Sequence, residues 1–187
     1  MLTNRHNFDV WARVSFLDAY GLTAAAIQGE KTQYRVIVTY DRHKDGTVTK
    51  KEATYGIGDE IPLLQPYCDI PDLANKGLED DIGWKNKRNV KTSYMPFRIR
   101  ITGFRVERLH DITDADALAE GVRTYRCYGL PDVYSFDGNK SLQMFATPKA
   151  AFSVMCDKLY GITVWRRNPD VYVYEFEVVP NSKRVFP

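Results

Sequence analysis

The segment from residue 97 to residue 109 constrains the fold of this chain most strongly, because apolar and charged residues alternate along it. Such alternation is typical of a β-strand with one buried face. The apolar positions are 97, 99 and 101 at first and 104 and 106 later, and Gly103 lies where the phase changes. A glycine at a change of phase predicts a β-bulge. The pattern also predicts that the arginines of this strand form a basic stripe on one sheet face.

Three segments have sequence signatures of helices. Residues 18–28 carry an apolar helical face and are followed by Gly29, a residue type that often ends helices. Thr113 is a candidate N-cap for a short helix that ends at Gly121, with acidic residues in its first turn. The clearest helix pattern begins at Thr147-Pro148.

The remaining regular segments predict short strands. Asp45-Gly46 predicts the turn of a β-hairpin, and residues 171–179 alternate in the manner of a strand. Pro62 favours an edge strand, and residues 9–16 alternate loosely and predict a first strand. About six short strands with helices between them predict the α+β class, as a small β-barrel or curled mixed sheet decorated by a few helices.

A length of 187 residues suits one domain that spans residues 1–187. Two stretches rich in turn residues predict irregular insertions, which are often functional. Trp84 lies in the first of them, and its ring either packs at the edge of the core or stacks on a ligand. The predicted core consists of residues 13–64, 95–122 and 146–180, and the insertions of residues 65–94 and 123–145.

Charge and cysteine content argue against several classes of protein. The formal net charge of +2 is too small to indicate a nucleic-acid-binding protein by itself. The three cysteines and three histidines are isolated from one another in the sequence, which argues against a disulfide framework and a metal site. No apolar run approaches the roughly 18 residues of a membrane span, and the N-terminus lacks a signal-peptide core. We expect a cytoplasmic protein without a membrane segment, cofactor or metal.

The distribution of charge is more informative than its sum. Residues 85–108 contain eight lysines and arginines and one acidic residue, Glu107. A basic face of this kind is compatible with a phosphate-bearing partner. A solvated strand face explains the same pattern, and charge alone favours that second interpretation.

Two junctions between predicted elements carry candidate site residues. Lys31, Thr32 and Arg35 follow the predicted end of the first helix, immediately before a β-rich run. Glu120 and Gly121 end the second helix pattern. Polar side chains at such junctions are held on a rigid base. Lys31 and Glu120 are therefore the pair most suited to a chemical site.

Several of these segments resemble the ASCH domain, a family with a PUA-like β-barrel. More narrowly, the chain looks like the phage and prophage branch of that family. The resemblance covers most of the chain between about residues 20 and 180. It is carried by residues 29–33, 58–61, 83–87, 95–96, 99–109, 113–121 and 165–176.

The resemblance implies a cleft between a helix and the central sheet, and members of the family are generally proposed to bind RNA or nucleotides. Some small bacterial members are amidohydrolases that deacetylate N4-acetylcytidine with a lysine, a threonine and a distant glutamate. Lys31 and Glu120 match the lysine and the glutamate. Tyr34 stands where those enzymes have the threonine, so the resemblance leaves catalysis in doubt.

Three functional hypotheses result. In a binding module for RNA or a modified nucleoside, Lys31 and Arg35 contact phosphate or carbonyl groups and Glu120 accepts a hydrogen bond from a base amino group. In an amidohydrolase, Lys31, Tyr34 and Glu120 are catalytic. In an interaction domain without a ligand, Lys31 and Glu120 form a structural ion pair. The first is our expectation, with the remaining ligand-binding residues predicted to be Thr32, Trp84, Arg98 and Arg100.

Overall fold

The structure is a computed structural model that describes residues 13–74, 76–126, 128–137 and 143–186. Among these residues the regular elements are short except for β5, β8 and α3, and they confirm the predicted α+β class. The strands are β1 (Gln33–Ile37), β2 (Tyr40–Arg42), β3 (Val48–Lys50), β4 (Glu60–Pro62), β5 (Phe97–Arg108), β6 (Arg123–Tyr125), β7 (Val133–Ser135) and β8 (Asp170–Pro180). The helices are α1 (Leu22–Ile27), α2 (Asp114–Ala119), α3 (Pro148–Tyr160) and α4 (Val164–Arg167).

The chain forms two compact units. Unit 1 comprises the described parts of residues 1–16, 60–100 and 178–187, and unit 2 comprises those of residues 17–59 and 101–177. Strands β5 and β8 contribute residues to both units. The expectation of one domain over residues 1–187 stays a prediction.

The sheet of unit 2 places β8 between β1 and β5. β1 and β8 are antiparallel, with Gln33 opposite Glu175 and Tyr34 opposite Tyr174. Because successive side chains of a strand point to opposite faces, Gln33, Arg35 and Glu175 share one face of the sheet, and Tyr34 and Tyr174 share the other.

The predicted helix ends and hairpin in unit 2 are confirmed in their main features. The hydroxyl of Thr113 accepts a hydrogen bond from the backbone N–H of Asp116 at 3.1 Å, as expected of an N-cap. Thr147 caps α3 in the same way, and Pro148 occupies its first position. Strands β2 and β3 form the predicted hairpin around Gly46. Within residues 18–28, a short 3-10 turn precedes α1.

Strand β5 corrects the predicted β-bulge. Burial alternates along it without a change of phase, so Arg105 and Glu107 lie on the same face as the buried Ile101, and Phe104 is exposed on the other face. The arginines therefore do not form one stripe, because odd- and even-numbered positions face opposite ways. Gly103 has a different role, since an added Cβ would lie 2.5 Å from Glu175 Oε2. The glycine allows the Glu175 side chain to lie directly against β5.

Unit 1 contains the first predicted insertion, and apolar side chains of the insertion and its flanking residues form a hydrophobic cluster. Strand β4 pairs with β5, Glu60 lying opposite Arg100. Val14 forms a single parallel bridge with Leu63, and residues 9–12 of the predicted first strand lie outside the described residues. Trp84 is half-buried and packs against a hydrophobic cluster made of Leu64, Tyr67, Ile70, Leu73, Val90 and Met95.

The second predicted insertion is partly regular. Strands β6 and β7 form an antiparallel hairpin, with Arg123 opposite Ser135. Cys127 and residues 138–142 lie outside the described part of the chain, as does His6. The many turn residues of this segment thus reflect a hairpin with its connections rather than a wholly irregular loop.

We predict that Gly121→Ala destabilises the protein more than Gly29→Ala does. Both glycines have positive φ angles, 104° and 77°, so alanine costs about 1–2 kcal/mol at either position. At Gly121 the new Cβ would also lie 2.8 Å from Cδ2 of the buried Leu22, whereas nothing lies within 4 Å at Gly29. Overpacking should add about 1–3 kcal/mol at Gly121. Urea unfolding measures both variants, and equal losses would contradict the close packing of α1 against this turn.

Candidate functional site

Lys31 follows α1, and its ammonium group lies inside unit 2. Lys31 Nζ donates to the backbone oxygen of Gln33 at 2.6 Å, to the backbone oxygen of Glu120 at 2.9 Å and to Glu120 Oε2 at 2.8 Å. The side chains of Lys31 and Glu120 are each 2% exposed. The structure thus brings together the two residues that the sequence paired, at the ends of α1 and α2.

Arg35 of β1 binds the other oxygen of the same carboxylate. Its Nη1 donates to Glu120 Oε1 at 2.9 Å, and its Nη2 donates to Glu107 Oε1 at 2.8 Å. The guanidinium carbon lies 5.7 Å from the centre of the Phe152 ring on α3. Glu120 therefore holds two buried cations at once.

Burial has the largest effect on the pKa of Lys31. Removal from water lowers the pKa of Lys31, and the adjacent Glu120 carboxylate opposes this effect without cancelling it. The nearby charge of Arg35 lowers the pKa further. An ammonium group in this position loses its proton more readily than one on the surface.

A second arginine forms the outer part of the site. Arg105 Nε donates to Glu107 Oε2 at 2.8 Å, Nη1 to Glu175 Oε1 at 2.8 Å and Nη2 to Asp116 Oδ1 at 2.9 Å. Three carboxylates from three elements thus converge on one guanidinium, whose side chain is 34% exposed. Charge-assisted hydrogen bonds of this kind fix geometry as well as contributing energy.

We call these seven side chains the charge cluster: Lys31, Arg35, Arg105, Glu107, Asp116, Glu120 and Glu175. Exposure increases along it, from 1% for the Arg35 side chain to 47% for that of Glu175. The cluster is therefore a polar path that leads from a buried carboxylate to the surface. At its outer end, Arg105 can donate hydrogen bonds to a ligand and Glu175 can accept them.

Asp116 joins the cap of α2 to the charge cluster. Burial raises the pKa of its carboxyl, but hydrogen bonds from Thr113 and Gln33 and the charge of Arg105 outweigh burial and lower the pKa to about 2. Asp116 is therefore ionised at neutral pH.

Tyr34 and Thr32 have different positions relative to the charge cluster. The Tyr34 ring lies on the face of β1 opposite Arg35 and stacks on Tyr174, with ring centres 5.0 Å apart. Burial raises the pKa of the Tyr34 phenol well above its usual range, so the phenol does not ionise near neutral pH. Thr32 is exposed, and its backbone connects Ala119 to Phe176 through hydrogen bonds of 2.8 Å.

The other predicted ligand-binding residues belong to unit 1. Trp84 packs against the hydrophobic cluster of the insertion. Arg98 Nη2 donates to the backbone oxygen of Glu60 at 2.5 Å, and Arg100 Nη2 donates to Glu60 Oε1 at 2.7 Å. Glu60 thus partly neutralises the basic positions at the start of β5.

Four members of the charge cluster were missed by the sequence reasoning: Arg105, Glu107, Asp116 and Glu175. The assumed phase change at Gly103 assigned Arg105 to an outward stripe. An unbroken alternation along β5, combined with antiparallel pairing of β1 and β8, would have placed Arg105, Glu107, Arg35 and Glu175 on one face.

The described residues show neither a metal centre nor a membrane segment. No group of three or more His, Cys, Asp or Glu side chains among them is arranged to hold a metal ion. None of the described helices combines the length and apolarity needed to cross a membrane.

Comparisons with known proteins give one structural match. No family model matches the chain, and no curated protein matches it. The chain is similar to the crystal structure of an ASCH domain from Lactobacillus crispatus JV V101, with 14% identity and a TM-score of 0.40 over 90% of this chain and 81% of that one. That structure bears the name of the family that the sequence motifs resemble, and the phage and prophage branch stays a prediction.

We predict that substitution of Glu120 destabilises the protein more than substitution of its ion-pair partner Lys31. Glu120→Gln leaves Lys31 and Arg35 without the carboxylate they share, which should cost about 3–5 kcal/mol of unfolding free energy. Lys31→Met should cost less, because Glu120 keeps Arg35 at 2.9 Å. Urea unfolding measures both, with Glu30→Gln as an exposed control whose partner is Arg123. A larger loss for Lys31→Met would contradict the central position of Glu120.

We predict that acid lowers the unfolding free energy because the Asp116 carboxylate becomes protonated. The pKa of Asp116 is lowered in the folded protein from 3.8 to about 2. Its contribution to stability is therefore complete above pH 4 and is lost as the pH falls from about 4 to about 2. In Asp116→Asn the unfolding free energy should fall less steeply across that range. Identical slopes for wild type and variant would contradict the account.

Proposed function

We propose that unit 2 binds RNA, a nucleotide or a modified nucleoside at the charge cluster. The observation that carries this proposal is the continuous path of charged side chains from the buried Glu120 to Arg105 and Glu175 at the surface. A ligand at the outer end would meet donors and acceptors whose positions are already fixed.

The buried part of the cluster supports a functional role. Buried ion pairs are weak contributors to stability, since apolar side chains of similar volume often serve as well or better. Groups whose pKa is shifted by burial and by specific partners are concentrated at functional sites. Burial lowers the pKa of Lys31, and hydrogen-bond and charge partners lower the pKa of Asp116. The arrangement is therefore better explained by recognition than by stability alone.

The chemistry of the cluster matches that of nucleobase edges. Proteins recognise unpaired bases through hydrogen bonds to edges that carry adjacent donors and acceptors. Arg105 offers N–H donors, and Glu175 offers carboxylate acceptors. In this proposal Lys31 and Arg35 act on the ligand by holding Glu120, and the exposed Thr32 lies beside the outer end. Arg98 and Arg100 could follow an RNA backbone only by exchanging contacts to Glu60.

A hydrolase is the second candidate, and the lowered pKa of Lys31 is the observation that favours it. A neutral amine beside Glu120 could take a proton from water during attack on an N4-acyl group, which would release a carboxylic acid and the free amine. Tyr34 does not serve as the base in this scheme, because its phenol is buried on the other sheet face. Binding requires none of these proton transfers and is the function that the geometry supports best.

We predict that Arg105→Gln weakens ligand binding by about tenfold or more, the equivalent of one charge-assisted hydrogen bond. Isothermal titration calorimetry at low salt, with cytidine, N4-acetylcytidine and a short single-stranded RNA, measures the dissociation constants. Arg108→Gln is the matched control, since Arg108 lies on β5 outside the charge cluster and pairs with Asp170.

The same titration separates the candidate functions. Absence of binding to every one of these compounds would contradict the proposal. Release of acetate from N4-acetylcytidine that is lost in Lys31→Met would instead favour the hydrolase.

A further inference from the structure

We propose that the charge cluster selects a nucleoside whose base carries a positive charge, such as a ring-methylated purine or pyrimidine, and that Glu175 is the residue that makes the selection. This inference rests on the function proposed above and narrows its ligand class. Three features of the cluster carry it: its balance of charge, the position of Glu175 and a buried donor on Arg35.

The first feature is an excess of one carboxylate. Glu120 and Glu107 balance Lys31 and Arg35 in the inner part, through contacts of 2.8–2.9 Å. In the outer part, Arg105 pairs with Asp116 and Glu175 at 2.8–2.9 Å, and Asp116 also lies 3.8 Å from Arg35. The three cations and four carboxylates of the charge cluster therefore give it a formal charge of −1, which favours a cationic base over a neutral one at the exposed end.

The second feature is the orientation of Glu175. Arg105 Nη1 at 2.8 Å and Gln33 Nε2 at 3.5 Å both donate to its Oε1. No side chain among the described residues donates to Oε2, which lies over Gly103. The carboxylate is 47% exposed, so a ligand can reach Oε2 without breaking the ion pair to Arg105.

The absence of a side chain at Gly103 maintains this arrangement. A Cβ at that position would lie 2.5 Å from Glu175 Oε2 and 3.0 Å from Cδ. Real Cβ atoms do not approach so closely, and the carboxylate would have to move. Gly103 thus provides the space that lets Glu175 lie beside Arg105 and present its second oxygen outward.

The third feature is an N–H donor inside the cluster. Arg35 is 1% exposed, and its Nε has no hydrogen-bond acceptor among the described residues. A buried N–H group without an acceptor is costly, so binding of an acceptor to it is favourable. A methylated cationic base keeps ring-nitrogen or carbonyl acceptors beside its charge. In this proposal such a ligand places its charge at the Glu175 carboxylate and directs an acceptor toward Arg35, whereas a simple cation contacts Glu175 alone.

Two isomeric nucleosides test the inference directly. N1-methyladenosine is protonated and carries a positive charge at neutral pH, whereas its isomer N6-methyladenosine has the methyl group on the exocyclic nitrogen and is neutral. Calorimetry at low salt should give N1-methyladenosine a dissociation constant at least about tenfold lower, since an added opposite charge near a surface carboxylate is worth that much. Raising the salt concentration should reduce the difference.

Two variants test whether Glu175 causes the preference for N1-methyladenosine over N6-methyladenosine. Glu175→Gln should remove the difference between the isomers, because it should weaken the binding of N1-methyladenosine more than that of N6-methyladenosine. Gly103→Ala should reduce the difference without changing any charge, because it displaces the carboxylate. Glu52→Gln is the control, since Glu52 is exposed and lies outside the charge cluster.

Each outcome decides a separate claim. Equal affinity for the two isomers, or an undiminished preference in Glu175→Gln, would overturn the inference while leaving nucleoside binding intact. Failure of both isomers and of single-stranded RNA to bind would overturn the proposed function and the inference together. A preference that disappears in Glu175→Gln and persists in Glu52→Gln would support both.

Discussion

The carboxylate of Glu120 is the contact on which the rest of unit 2 depends, because it holds Lys31 and Arg35 in a region with almost no access to water. Without it, two cations would remain buried, with Glu107 as the only other carboxylate within 3 Å of Arg35 among the described residues. The backbone oxygen of Glu120 also accepts from Lys31, so the end of α2 is fixed relative to the end of α1. One residue thus determines both the charge balance and the relative position of two helix ends.

Asp116 and Glu175 extend the network of ion pairs from the buried Glu120 to the surface. Arg105 connects β5 to α2 through Asp116 and to β8 through Glu175. Asp116 remains ionised over the physiological range, because its partners lower the pKa of its carboxyl to about 2. A network with fixed partners on the inside and an exposed carboxylate on the outside combines a rigid base with an accessible contact, which recognition of a small polar ligand requires.

Local signals in the sequence predicted a large part of this structure. The caps at Thr113 and Thr147, the hairpin turn at Gly46 and the pairing of Lys31 with Glu120 follow from residue types at specific positions. The outer half of the site was missed because it depends on which face of β5 is buried. From the sequence, Gly103 predicts a β-bulge. In the structure it makes room for the side chain of Glu175, which lies more than seventy positions away in the sequence. A steric reason of that kind has no local signature.

A crystal structure of the protein with bound N1-methyladenosine would show whether the charge cluster binds a cationic base. We expect the charged base within hydrogen-bond distance of Glu175 and an acceptor directed toward Arg35. Lys31, Arg35 and Glu120 should keep the positions described above. A nucleoside bound away from the charge cluster would contradict the account. So would a complex in which Glu175 remains in contact only with Arg105 and Gln33.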